Sequence, residues 1–175
     1  MLMPELLLSL TLACAPMVHP DTALRLVKHE SGNNPFAIGI NGPYRLSPQP
    51  KSRAQAVATA QMLMNAGLSI DMGLGQINSR NLPWLGLTLE TVFDPCMNLR
   101  AMQVVLLKGY EKAAKTHGPG QQALVAALSI YNTNHPERGV RNGYVASVFK
   151  TPVTTFMPSE RPPEISNQQR FSKAP

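Results

Sequence analysis

Residues 20–35 read PDTALRLVKHESGNNP, and the reading of the whole chain starts there. Asp21 or Thr22 can cap a helix on which Ala23, Leu26, Val27 and Glu30 share one face at spacings of three and four. Gly32 ends that helix and Pro35 prevents its return. Glu30 therefore emerges at a helix C-terminus, with Leu26 and Val27 one turn behind it. An apolar surround disfavours a carboxylate anion, and so does the negative end of the helix dipole. A general acid working at neutral pH needs such a shift, from about 4.3 toward 6 or 7. An exposed glutamate closing an ordinary helix fits the position equally well, so the rest of the chain has to decide.

Working outward, residues 38–51 hold Gly39, Gly42, Pro43, Pro48 and Pro50 and read as a loop or small hairpin. Ser52 caps a second helix through Val57, Ala60, Leu63 and Met64, closed by Gly67. The glycine-rich stretch 73–78 is a loop or short helical turn. Asp94 before Pro95 starts a long helix through Leu99, Met102, Leu106 and Tyr110 to about Gly118. Further helices fall at about 121–131 and around Tyr144, Val145 and Val148. The fold class is mainly α, with one domain over 1–150. Beyond it, 151–175 is a proline-rich tail expected to lack fixed structure.

The first fifteen residues carry Leu6, Leu7, Leu8, Leu10 and Leu12 ahead of Ala13. They read as a first helix or as a signal-like segment. Glu5 stands where an export signal carries a basic residue, and Pro16 follows the small residues, so the helix is favoured. No run reaches the roughly 18 apolar residues of a membrane span.

Composition narrows the chemistry. The 175 residues are 43% hydrophobic and 15% charged, which suits a folded core. A formal charge of +6 favours polyanionic partners, but no nucleic-acid reader motif or basic-aromatic interleaving accompanies it. His29-Glu30 opens like a zinc-protease helix, yet Asn33 stands where the second histidine belongs, and His19, His117 and His135 have no ligand spacing. No metal or cofactor is expected. Cys14 and Cys96 are either one disulfide or two unpaired core thiols. A bridge closing so long a loop would stabilise the fold by roughly 4–5 kcal/mol and would need an oxidising compartment.

Amides and a phenol gather in three separated clusters: Glu30-Ser31 with Asn33 and Asn34, then Gln76 and Asn78, then Tyr131-Asn132 with Asn134. These donors and acceptors suit sugar hydroxyls and N-acetyl groups. In order, Glu-Ser-Gly-x-Asn-Pro at 30–35, Gly-Leu-Gly-Gln-Ile-Asn at 73–78 and Ser-x-Tyr-Asn at 129–132 resemble the soluble lytic transglycosylases of the lysozyme-like superfamily. The likeness is stronger to the branch that accompanies type IV secretion and conjugation systems. It is carried there by Cys-Ala-Pro at 14–16, Ala-Ile-Gly-Ile-Asn-Gly at 37–42, Phe-Asp-Pro-Cys at 93–96 and Asn-Gly-Tyr-Val at 142–145. Two positions depart: Gly75 replaces the broader family's methionine, and Asn134 stands where a glycine usually follows Tyr-Asn-Thr.

The resemblance implies a lysozyme-like helical domain whose lone acid, Glu30, acts on peptidoglycan glycan strands. Ser31, Gln76, Asn78, Tyr131 and Asn132 would bind the glycan and orient the acid. It also favours pairing Cys14 with Cys96, a periplasmic location and a secretion apparatus as partner. Asp71 is the alternative second carboxylate, which would make the enzyme a hydrolytic muramidase, and a glycan-binding scaffold with a vestigial site is the rival outside catalysis. Asp21 starts the helix that Glu30 ends, about 13 Å away at 1.5 Å per residue, and is too distant to serve.

Overall fold

The computed structural model describes residues 1–153. The expected unstructured tail therefore lies, from residue 154 onward, outside the described residues. Over the described part the chain is mainly helical: α1 (Pro4–Cys14), α2 (Pro20–Ser31), α3 (Arg53–Asn65), α4 (Leu82–Leu85), α5 (Leu89–Val92), α6 (Pro95–His117), α7 (Gln121–Thr133), α8 (Arg138–Arg141) and α9 (Tyr144–Lys150). Three short strands, β1 (Ile38–Ile40), β2 (Ile70–Met72) and β3 (Ile77–Asn78), form one antiparallel sheet in that order.

The apolar run near the start is a helix built into the domain. Leu7, Thr11 and Cys14 of α1 are buried, and α1 packs on α2 and α6. Cys14 and Cys96 form a disulfide across 82 positions with their Cα atoms 5.3 Å apart, tying α1 to the first turn of α6. At 23 residues, α6 is about 34 Å long and is the axis on which α1, α5 and α7 pack. Its buried positions Leu99, Met102 and Leu106 share a stripe with the fully enclosed Leu26 and Val27 of α2 in one core.

Local signals set the helix ends. The Ser52 side chain accepts from Gln55 N and that of Asp94 from Met97 N, each satisfying an otherwise unpaired first-turn donor. Gly32 closes α2 in the left-handed conformation. The start of α2 differs from the sequence expectation. Its cap is His19, whose Nδ1 accepts from Asp21 N at 3.3 Å, and not Asp21 or Thr22. Pro20 takes the first helical position, where its fixed φ fits and its missing N–H costs nothing, so the cap lies at His19, two residues before Asp21. Asp21 instead accepts from Arg25 Nε at 2.8 Å.

Of the loop or small hairpin expected within 38–51, the loop is what forms, and its first residues pair elsewhere. β1 pairs with β2 on the far side of α3, with Ile38 opposite Met72 and Ile40 opposite Ile70, while residues 41–52 form no strand. The glycine-rich stretch is then the turn between β2 and β3, and Asp71 lies directly opposite Asn78.

Candidate active site

Glu30 is the penultimate residue of α2, and its carboxylate lines a cleft of about 650 Å³. Behind it Leu26 and Val27 are fully buried, and α9 packs across the end of α2. Tyr144, the first residue of α9, donates its phenolic O–H to Glu30 Oε1. Loss of water raises the Glu30 pKa to about 7, the Tyr144 hydrogen bond opposes the rise, and the negative charge of Asp71 adds to it. Burial dominates. The acid accordingly holds its proton well above the pH at which an ordinary glutamate loses it.

Tyr144 is itself fixed by the edge-to-face contact of its ring with His29, centroids 5.1 Å apart. Burial pushes the His29 pKa down, which favours a neutral imidazole beside the acid. Burial and the Glu30 charge push the phenol of Tyr144 far up, so it remains a donor throughout the ordinary pH range.

The opposite wall comes from the sheet and its turn. Asp71 Oδ1 accepts from Asn78 Nδ2 at 2.7 Å, a consequence of their cross-strand register. Asp71 Oδ2 accepts from Asn41 Nδ2 at 3.0 Å. Burial raises the Asp71 pKa and these two amides pull it back. Gln76 takes a left-handed conformation at φ 48°, and its amide donates to Ala37 O at 3.2 Å and Gly73 O at 2.9 Å. The turn is pinned by Asn98 of α6, whose Oδ1 accepts from Gly75 N at 2.8 Å while Nδ2 donates to Met72 O and Val92 O.

The third side is the end of α7. Tyr131 Oη donates to Gly75 O at 2.5 Å, which locks α7 to the glycine turn. Burial, then the charges of Glu30 and Asp71, raise its pKa well above the usual phenol value. Asn132 Oδ1 accepts from Asn142 Nδ2 at 3.1 Å. Glu30, Gln76, Asn78, Tyr131 and Asn132 thus all line one cleft. Ser31 does not line it, and its Oγ donates back to Val27 O at 3.0 Å.

Both departures from the family pattern have a local explanation. Asn134 is the left-handed C-cap of α7 at φ 56°, a conformation that asparagine tolerates better than other side chains. At Gly75 a Cβ would stand 2.8 Å from Met102 Cβ and 3.1 Å from Tyr131 Oη, so Met102 of α6 already fills that space.

Residues 8–139 match the transglycosylase SLT domain. The chain belongs to this family. The chain is 39% identical to the type IV secretion system protein virB1 of Brucella suis biovar 1 (strain 1330) over 151 residues, covering 83% of this chain and 63% of that one. It is 36% identical to protein virB1 of Rhizobium radiobacter over 146 residues, covering 83% and 60% respectively. The chain spans less than two thirds of the length of these relatives. No solved structure matches it.

Sequence reasoning about this SLT domain missed three residues that organise the site: Tyr144, Asn98 and Asn41. The sequence places Tyr144 in a short helix and in the Asn-Gly-Tyr-Val stretch without giving it a role, and nothing local to it announces a partner 114 positions away. Among the described residues of the domain, no group of three or more His, Cys, Asp or Glu is placed to hold a metal ion. No described helix is long and apolar enough to cross a membrane.

Proposed function

We propose that the chain is a peptidoglycan lytic transglycosylase that cuts the bond between N-acetylmuramic acid and N-acetylglucosamine. The observation that carries this reading is Glu30: a carboxyl on a cleft wall, protonated in good part at neutral pH, and held by the Tyr144 phenol. Such a group can donate to a glycosidic oxygen and take a proton back in the next step. The amide-rich cleft supplies the hydrogen bonds that acetamido sugars need.

Glu30 would protonate the leaving oxygen, then accept the proton of the muramyl 6-hydroxyl as that oxygen closes on the anomeric carbon. The product is a 1,6-anhydro sugar, and no water is consumed. The substrate's acetamido carbonyl would stabilise the cationic centre. Gln76, Asn78, Tyr131 and Asn132 would hold the glycan, and Ser31 would act through the end of α2. Both Asp71 oxygens already accept amide N–H groups, which favours chemistry with one acid over activation of a water. A hydrolytic muramidase is the second reading, because Asp71 faces the same cleft.

Similarity to virB1 proteins supports a role in the bacterial envelope, with the chain opening the wall locally for a type IV secretion or conjugation apparatus. The disulfide suits the oxidising periplasm. Product analysis on purified murein tests the chemistry. Anhydro ends from the wild type and none from Glu30→Gln support it, reducing ends favour Asp71-assisted hydrolysis, and binding without cleavage leaves a glycan scaffold.

A further inference from the structure

Arg80, Lys108 and Lys112 line the same cleft as Glu30 and Asp71. Among the described residues none of the three belongs to an ion pair; the pairs there are Asp21–Arg25 and Glu137–Arg141. Lys108 and Lys112 sit one turn apart on α6, a like-charge arrangement that opposes helix formation, and among the described residues neither has a carboxylate in ion-pair contact. Glu111 lies between them in sequence and pairs with neither. Lys108 is also positioned: its ammonium lies 4.4 Å from the centre of the Trp84 ring, and the indole N–H donates to Asn81 Oδ1 at 3.0 Å.

A chain of acetylated amino sugars linked through their hydroxyls gives such cations no anion to meet. In peptidoglycan the fixed negative charge lies on the muramyl side branch, as the carboxylates of the stem peptide. We infer that Arg80, Lys108 and Lys112 form a carboxylate-binding wall for the stem peptide, so that the cleft prefers glycan whose stems are present and charged. The inference rests on the proposed peptidoglycan substrate and deepens it. Exposed cations bind through long-range attraction, so the preference should weaken as salt rises.

Binding is measured with the Glu30→Gln variant of the 175-residue chain, which removes turnover. The probes are soluble glycan with intact tetrapeptide stems, the same glycan with its stem carboxylates converted to amides, and a chito-oligosaccharide of equal sugar number. At about 50 mM salt the intact form should bind at least about fivefold tighter than the amidated form, and the margin should shrink at about 300 mM. Adding R80Q, K108Q and K112Q should bring the ratio to within about twofold. Equal binding of intact and amidated glycan overturns the inference alone, as does a ratio that survives the charge removal. Failure of all three probes to bind sinks the substrate assignment and this inference with it. Amidation leaves the protein untouched, so it reads the charge effect even if the triple variant folds poorly.

Discussion

The phenol of Tyr144 donates a hydrogen bond to the Glu30 carboxylate, joining the first residue of α9 to the end of α2 across 114 positions of sequence. This bond stabilises the anion and so opposes the burial that raises the Glu30 pKa. Removing it in Tyr144→Phe should therefore push that pKa higher still. The alkaline limb of kcat should move to higher pH, while loss of a fixed carboxyl orientation lowers kcat by roughly tenfold. A pH profile of both proteins separates the two effects, and an unshifted limb would reduce Tyr144 to a packing role.

Glu30 also makes stability depend on pH. Its folded pKa of about 7 lies above the usual value of 4.5, so the folded state holds the proton more tightly than the unfolded chain. Relative stability is full below about 4.5 and declines as pH rises through 7. Allowing for partial exposure, the loss between about pH 5 and pH 8 should be on the order of 2 kcal/mol. Urea melts at both pH values should show it, and Glu30→Gln should flatten the difference.

Asp71→Asn distinguishes two roles for that carboxylate. Its charge is the smallest of the three causes acting on Glu30, behind burial and the Tyr144 bond. Removing it should lower the Glu30 pKa slightly and shift the alkaline limb by less than about one pH unit. Anhydro products should persist. The variant also gives up a charge-assisted pairing with Asn41 and Asn78, so a loss of about 1–2 kcal/mol in stability should accompany it. Loss of cleavage in a folded variant would make Asp71 part of the chemistry.

The disulfide closes a loop spanning 82 positions between helices that pack on each other. Replacing Cys14 and Cys96 together by serine should lower unfolding free energy by about 3–5 kcal/mol in denaturant melts. Activity at room temperature should survive, because neither cysteine lines the cleft.

The features legible in the sequence were those with short-range causes. Ser52, Asp94-Pro95 and Gly32 each mark a helix end through their own neighbours, and the structure places those ends where they point. The class and the long α6 followed from the same kind of signal. The β1–β2 pairing stayed hidden because its partners flank a whole helix and each strand has only three residues. Helix face and dipole make Glu30 a candidate and the family resemblance implies its role, whereas its Tyr144 partner depends on how α9 docks, which no local pattern encodes. Ser31 shows the converse: the resemblance implies that it orients the acid and binds glycan, while its hydroxyl, like that of many helical serines, donates to its own helix backbone and lies outside the cleft lining.

Arg25 of α2 donates to the carbonyls of Phe149 and Thr151, and Lys28 to that of Pro152. The outgoing chain is thus berthed against the helix that carries Glu30. A displacement of residues 149–152 would therefore pass through three carbonyl anchors straight into the helix that ends beside Glu30.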